Sequence, residues 1–253
     1  MPRQISGRFY LSSLPMRRLF LLPLLLLLFV ATPASLLAHP LGNFSVNRYS
    51  LLEVGVEQID LLYILDIAEI PAFQERGQMD TNGDEQVSAE EQERYLTRQL
   101  AILQNNLHLT VNGTAVPLTL SEQTLAFEEG QGGLQTLRLT LRLVATLPAA
   151  QAEGQVEYRD ENYQDRLGWQ EIVVRPASGV SLLDASVPSE DLTQQLRAYP
   201  DDLLQSPLVV NRATFRFQPG EASSAASPTG ALVPAGAPRE DEFASLIELP
   251  DVG

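Results

Sequence analysis

The chain contains no cysteine and no lysine, and it has only two histidines. Without cysteine it cannot form a disulfide, a zinc–thiolate site or a cysteine nucleophile. With two histidines, the most frequent general base of enzymes is nearly absent. The sequence has no Gly-rich phosphate loop, no H-E-x-x-H motif and no Ser/His/Asp arrangement, and nothing marks a particular pair among its many carboxylates. We therefore expect that the protein is not an enzyme.

Basic residues of any kind are scarce. The sequence has 17 arginines against 32 acidic residues, which gives a net charge of −15. Four of the arginines and none of the acids lie in the first 38 residues, so the rest of the chain carries 13 basic and 32 acidic residues, a net charge of −19. This balance argues against nucleic acid or anionic lipid as a partner and favours a soluble exterior that attracts cations.

Residues 1–38 have the features of a secretory signal peptide. An arginine pair precedes a twelve-residue apolar run at residues 19–30, and small residues then lead to Ala38. An uncleaved membrane anchor is the alternative, because residues 19–38 are about long enough to span a bilayer. We expect an exported, extracytoplasmic protein in the periplasm or at the cell surface, anchored to the membrane if this segment is retained.

Residues 39–218 are predicted to form one mainly β domain, an antiparallel β-sandwich. In residues 137–143, leucines alternate with arginine and threonine, which is typical of a strand with one buried face. Similar patterns or turn-bounded apolar runs predict further strands at residues 44–53, 58–67, 107–111, 116–120, 124–128, 155–159, 170–175 and 213–217.

Helical patterns occur in two places. Residues 71–78 and 88–105 flank an acidic loop, so a helix–loop–helix insertion is predicted at residues 70–106, between the second and third strands. A further helix is predicted at residues 189–199, with Ser189 as its N-cap and Pro200 as its stop.

The acidic loop at residues 80–91 reads D-T-N-G-D-E-Q-V-S-A-E-E, with oxygen-bearing side chains at positions 1, 3, 5, 9 and 12. This is the spacing of an EF-hand calcium loop, since calcium prefers six to eight hard oxygen ligands. The predicted calcium ligands are Asp80, Asn82, Asp84, the carbonyl of Gln86, Ser88 directly or through water, and a bidentate Glu91. The sequence therefore predicts an EF-hand-like calcium site.

One position departs from the motif, because Glu85 stands where glycine normally provides a positive φ angle. A left-handed backbone at Glu85 costs about 1–2 kcal/mol. Extracellular EF-hand modules work at dissociation constants of about 10⁻⁴–10⁻³ M, so this cost is tolerable. The alternative is a polar turn at Asn82 and Gly83, followed by a capping box from Ser88 to Glu91 that needs no metal.

Two further metal hypotheses are weaker. If cleavage follows Ala38, the new N-terminal His39 offers an amine and an imidazole that could capture nickel or cobalt. Asp160, Asn162 and Asp165 are oxygen ligands close in sequence and form a candidate second cation site. The simpler interpretation of this segment is a polar connection that leads to a buried Trp169.

The end of the chain changes in composition. Residues 219–240 are rich in proline, alanine and serine and are predicted to be a linker, because they lack the apolar residues needed for a core. Residues 241–253 form a short acidic C-terminal stub.

Four stretches resemble a known family. They are H-P-L-G-N-F-S-V-N-R-Y-S from His39, I-L-D-I-A-E-I-P-A-F-Q-E from Ile64, Y-R-D-E-N-Y-Q-D-R-L-G-W-Q-E from Tyr158 and R-A-Y-P-D-D-L-L-Q-S-P from Arg197. They are similar to the extracytoplasmic N-terminal region of bacterial nickel/cobalt transporter-like membrane proteins of the NicO type.

This resemblance covers essentially everything after the signal segment. It implies an envelope-exposed accessory or metal-sensing module with a membrane permease domain or protein as its partner. Transport helices of such proteins follow this region, and none is recognised in these 253 residues. Transport by this chain alone is not expected, since crossing a bilayer requires several closed helices. A fragment, a truncated product and a stand-alone paralogue all remain open.

Overall fold

A computed structural model describes residues 41–147, 153–204, 206–221 and 223–226. The expectations for the signal segment 1–38, for His39 and for the stub 241–253 lie outside these residues, as does most of the linker 219–240. Among the described residues, no helix is both long enough and apolar enough to cross a membrane.

The described residues form a mainly β fold with two sheets. The strands are β1 Val46–Val54, β2 Gln58–Ile67, β3 Leu107–Val111, β4 Thr114–Ala115, β5 Thr119–Glu129, β6 Gln135–Thr146, β7 Gly154–Asp160, β8 Gln170–Pro176, β9 Val180–Ala185, β10 Arg212–Pro219 and β11 Ser223–Ala226. The first sheet has the order β5-β6-β2-β1-β8, and the second has the order β11-β9-β10-β7-β3-β4. Both sheets are mixed rather than purely antiparallel as expected, because β1 pairs with β8 and β9 pairs with β11 in parallel.

The two sheets contribute to one apolar core. Leu52 and Tyr63 from the first sheet and Tyr158 and Phe215 from the second belong to the same buried cluster. A smaller cluster surrounds the fully buried Trp169 on the other side of β1 and β8. This arrangement explains the period-two patterns, because each strand turns alternate side chains towards the shared core.

Two helices lie between β2 and β3. They are α1, Glu69–Met79, and α2, Ala89–Asn105, and the Tyr95 hydroxyl on α2 donates to Glu75 Oε2 on α1 at 2.9 Å. Along α2, Gln92 Nε2 donates to the Leu125 carbonyl at 3.4 Å and Gln104 Nε2 to the Leu118 carbonyl at 3.0 Å. The helix therefore runs beside the edge strand β5, and a covered edge is protected from pairing with other chains.

Several strand predictions need correction. Residues 116–120 and 124–128 were expected to be separate strands, but most of this stretch belongs to β5, whose register shifts between Leu120 and Glu122. The register shift explains why the period-two pattern is interrupted there. Strand β9 was not predicted. The strand expected at residues 44–53 begins two residues later, at Val46.

The predicted helix at residues 189–199 is wrong. This segment is a series of turns, with positive φ angles of 51°, 62° and 64° at Gln194, Gln195 and Leu196. The Asp191 carboxylate accepts the backbone N–H of Thr193 and Gln195, and the Thr193 hydroxyl accepts the N–H of Leu196. Side chains that capture nearby backbone donors in this way compete with a helix.

Candidate metal site

The loop at residues 80–91 is fixed at both ends by helix termini. The Asp80 N–H donates to the Arg76 carbonyl at 3.0 Å and closes α1. At the other end, Ser88 and Glu91 form the predicted capping box of α2. Val87, between these ends, packs against the main core. The loop geometry is therefore set by the two helices and the core together.

The Asp80 carboxylate lies inside the first turn of the loop. Its Oδ1 accepts the N–H of Gly83 at 2.7 Å and of Asp84 at 3.3 Å, and its Oδ2 accepts the N–H of Glu85 at 2.8 Å. Glu85 has a φ angle of 62°, the left-handed conformation that the motif requires at this position. Its carbonyl accepts a hydrogen bond from Arg76 Nη2 at 2.9 Å.

Asn82 and Asp84 continue this network. Asn82 Oδ1 accepts the Asp84 N–H at 2.9 Å, and Asn82 Nδ2 donates to Asp84 Oδ2 at 3.0 Å. Asp84 Oδ1 accepts the Gln86 N–H at 2.9 Å. The side chains at loop positions 1, 3 and 5 are thus joined within one turn of the backbone.

Glu91 reaches back to the start of the loop. Its Oε1 accepts the backbone N–H and the hydroxyl of Thr81, each at 2.8 Å. Its Oε2 accepts the N–H of Ser88 at 3.0 Å and the Ser88 hydroxyl at 2.8 Å. The backbone hydrogen bond from Ser88, followed by that from Thr81, lowers the pKa of Glu91 to about 2. The residue is buried.

The oxygen atoms of this loop are of types that suit calcium, since carboxylate, amide, carbonyl and hydroxyl oxygens are its preferred ligands. The arrangement of Glu91 fits less well. A carboxylate has about four lone-pair positions, and protein donors already fill all four on Glu91. In the described part of the chain, no group of three or more His, Cys, Asp or Glu side chains is arranged to hold a metal. To coordinate Glu91, a cation would therefore have to displace some of the hydrogen bonds from Thr81 and Ser88.

Two residues outside the predicted ligand set, Thr81 and Arg94, form hydrogen bonds next to it. Arg94 Nη2 donates to the Thr81 hydroxyl at 3.1 Å, and Arg94 forms an ion pair with Glu90 at 2.8 Å. The i, i+4 spacing of Glu90 and Arg94 makes their pairing visible in the sequence. The hydrogen bonds from Thr81 to Glu91 cannot be predicted in this way, because the motif assigns no ligand to loop position 2.

The second candidate cation site does not assemble. Asp160 is buried, accepts two hydrogen bonds from Asn162 at 2.9 and 3.0 Å, and lies 3.9 Å from the buried Arg48 Nε. Burial raises the pKa of Asp160, and the nearby Arg48 opposes that shift. Asp165 is exposed instead and pairs with Arg166 at 3.8 Å. Asp160 and Asn162 thus belong to the surroundings of a buried ion pair, whereas Asp165 belongs to a surface turn.

No protein-family model matches the chain, and a search of curated proteins finds no match either. The resemblance to the N-terminal region of NicO-type proteins therefore rests on the four stretches quoted above and stays a prediction.

Proposed function

We propose that the protein is a calcium-binding, extracytoplasmic accessory module related to the N-terminal region of nickel/cobalt transporters. In this proposal a β-sandwich carries an inserted EF-hand-like helix–loop–helix. The calcium ligands are those named from the sequence, and a membrane permease domain or protein is the partner. The module itself performs no catalysis.

The observation that carries the proposal is the turn around Asp80. Its carboxylate accepts three consecutive backbone N–H groups, and Asn82 Nδ2 donates to Asp84 Oδ2 within the same turn. Glu85 adopts a left-handed φ angle of 62° although it is not glycine. A non-glycine residue in this conformation costs about 1–2 kcal/mol, and such costs are concentrated at functional sites.

Glu91 determines what calcium binding would change. To coordinate the ion through both oxygens, Glu91 must give up hydrogen bonds to Thr81 or Ser88. The loop and the start of α2 would then be held by the ion instead of by these donors. With a single loop, Val87 has no partner loop in the described residues, so a calmodulin-like opening is not expected. The ion acts as a structural clip between two helices.

A melting experiment tests this function. Trp169 is the single tryptophan of the chain and is fully buried, so its emission reports unfolding. We expect millimolar calcium to raise the melting temperature relative to chelator. Asp84→Asn keeps an oxygen that can accept the Gln86 N–H but removes one charge from the site, and it should lose most of this increase. Glu90→Gln is the control, because this substitution also removes one negative charge, but outside the predicted ligand set.

A structural module without a metal is the second candidate. It is favoured by the same four hydrogen bonds to Glu91, which close the loop using protein groups alone. This candidate predicts identical melting temperatures in calcium and in chelator for all three proteins. Equal shifts in the Asp84→Asn and Glu90→Gln variants would also favour it, because they would indicate nonspecific charge screening.

A further inference from the structure

Two asparagines of the described chain are each followed directly by glycine. They are Asn82 in the acidic loop and Asn112 in the turn between β3 and β4, and both are exposed. Such an asparagine can lose ammonia, because the backbone nitrogen of the glycine can attack the side-chain amide carbon. A Cβ atom on Gly83 or Gly113 would have no other atom within 4 Å, so neither site is crowded. The neighbouring polar groups distinguish the two sites.

Each reacting atom at Asn82 has a polar partner. The Gly83 N–H, which carries the attacking nitrogen, donates to Asp80 Oδ1 at 2.7 Å. Asn82 Oδ1 accepts the Asp84 N–H at 2.9 Å, and Asn82 Nδ2 donates to Asp84 Oδ2 at 3.0 Å. A carboxylate thus contacts the attacking group, an N–H contacts the oxygen that would become negative, and a second carboxylate contacts the leaving nitrogen.

Asn112 has different surroundings. Its Oδ1 accepts the Gln155 N–H at 2.8 Å, and its own N–H donates to the Gln155 carbonyl at 2.8 Å. Both its side chain and its backbone are therefore fixed to β7. Among the hydrogen bonds of the described residues, none joins the Gly113 N–H to a carboxylate. This asparagine therefore has no positioned base for the same reaction.

We propose that Asn82 is a self-modification site, at which the loop converts its own asparagine into aspartate or isoaspartate. Asp80 Oδ1 takes the proton of the Gly83 N–H, and the Gly83 nitrogen forms a bond to Asn82 Cγ. The carbonyl electrons move onto Asn82 Oδ1, where the Asp84 N–H stabilises the negative charge. The Cγ–Nδ2 bond then breaks. The proton taken from Gly83 passes through Asp84 to the departing nitrogen, which leaves as ammonia. Water opens the resulting cyclic imide at either of its two carbonyl carbons.

Both products change the loop. Aspartate keeps an oxygen at loop position 3 and adds a negative charge, whereas isoaspartate inserts an extra carbon into the main chain before Gly83. The modification would therefore alter the predicted calcium site. The reaction itself uses only groups of the chain and water, so it does not depend on calcium binding.

The two asparagines provide an internal comparison. The full chain is incubated in chelator at neutral pH, and peptide mass spectrometry follows both positions in the same sample. We expect Asn82 to react at least about tenfold faster than Asn112 in the folded chain, since positioned acid and base groups typically contribute about a hundredfold or more. In denaturant the two rates should become similar, because both asparagines precede glycine and the fold no longer positions their neighbours.

The Asp80→Asn substitution tests the base. The amide keeps an oxygen that accepts the Gly83 N–H but is not a base at neutral pH, so the rate at Asn82 should fall about tenfold while the rate at Asn112 stays the same. Glu90→Gln is the control, because it also removes one negative charge but leaves both asparagines untouched. Emission of Trp169 verifies that each variant is folded. Equal rates at Asn82 and Asn112 in the folded parent chain, or an unchanged ratio of rates in the folded Asp80→Asn variant, would overturn the proposal.

Discussion

Glu91 Oε1 accepts both the backbone N–H and the hydroxyl of Thr81, ten residues earlier, and each hydrogen bond measures 2.8 Å. Its second oxygen caps α2 through Ser88. One carboxylate thus joins the beginning of the loop to the start of the second helix. The same carboxylate stands at the position where an EF-hand loop has its bidentate ligand.

The Glu91→Gln substitution should lower the melting temperature even in chelator. Glutamine replaces one carboxylate oxygen with an NH₂ group. This group would face N–H and hydroxyl donors that now form hydrogen bonds to Glu91, and buried donors without partners are unfavourable. The measurement is thermal unfolding followed by Trp169 emission. The matched control is Glu90→Gln, whose side chain is 80% exposed and pairs with Arg94 on the surface. Such a pair contributes about 0.3–0.5 kcal/mol. Equal melting temperatures in the two variants would contradict the role of Glu91.

Stability should also fall in acid because of Glu91. Its pKa is lowered from the ordinary 4.5 to about 2 in the folded protein. The unfolded state therefore takes up a proton first, and the stabilisation from this group is complete above pH 4.5 and is lost as the pH falls towards 2. Melting temperatures measured across this window should fall less steeply for Glu91→Gln than for the parent chain. Parallel curves would show that Glu91 does not cause the loss.

Glu85→Gly should raise the melting temperature, even in chelator. Glycine adopts the positive φ angle of 62° without the steric cost that glutamate bears. Because the loop already has this conformation in the structure, relief of the cost of about 1–2 kcal/mol stabilises the fold and should change the calcium affinity little. Because Arg76 donates to the Glu85 backbone carbonyl, this contact is retained in the variant. Glu85→Gln is the control, since it removes the charge but keeps the strained conformation, and it should not melt higher than the parent chain.

A buried ion pair joins the two sheets through Arg48 on β1 and Asp160 at the end of β7. Each of Arg48→Met and Asp160→Asn should destabilise the fold by about 3–5 kcal/mol, because the remaining partner is left buried with less compensation. The double variant should be less destabilised than the sum of the two. Denaturant unfolding of the parent chain, the two single variants and the double variant gives the coupling free energy of the pair. Strict additivity of the two losses in stability would show that the pair does not interact.

The sequence predicts the strands well where burial alone determines the pattern. The boundaries expected for residues 58–67 and 107–111 agree with β2 and β3, whose apolar residues face the core. The helix ends around the acidic loop were also predictable, because the capping box of Ser88 and Glu91 is a local signal. Local patterns are sufficient when the partners are neighbours in sequence.

The failures involve partners that are distant in sequence. Glu171 accepts the Leu192 N–H at 2.7 Å and the Thr193 hydroxyl at 2.6 Å, and these bonds hold a turn where a helix was expected. The pairing of Arg48 with Asp160 likewise depends on how the two sheets come together. At the candidate site the ligand types could be predicted from the motif, whereas the hydrogen bonds from Thr81 to Glu91 could not.

Calcium titration calorimetry on the full chain tests the central claim most directly. We predict one binding event with a dissociation constant of about 10⁻⁴–10⁻³ M. In Asp84→Asn the affinity should fall by about tenfold or more, because the number of charged ligands sets the affinity of such loops. Glu90→Gln should bind like the parent chain. Absence of binding heat in the parent chain, or equal affinities in all three proteins, would contradict a calcium site in this loop.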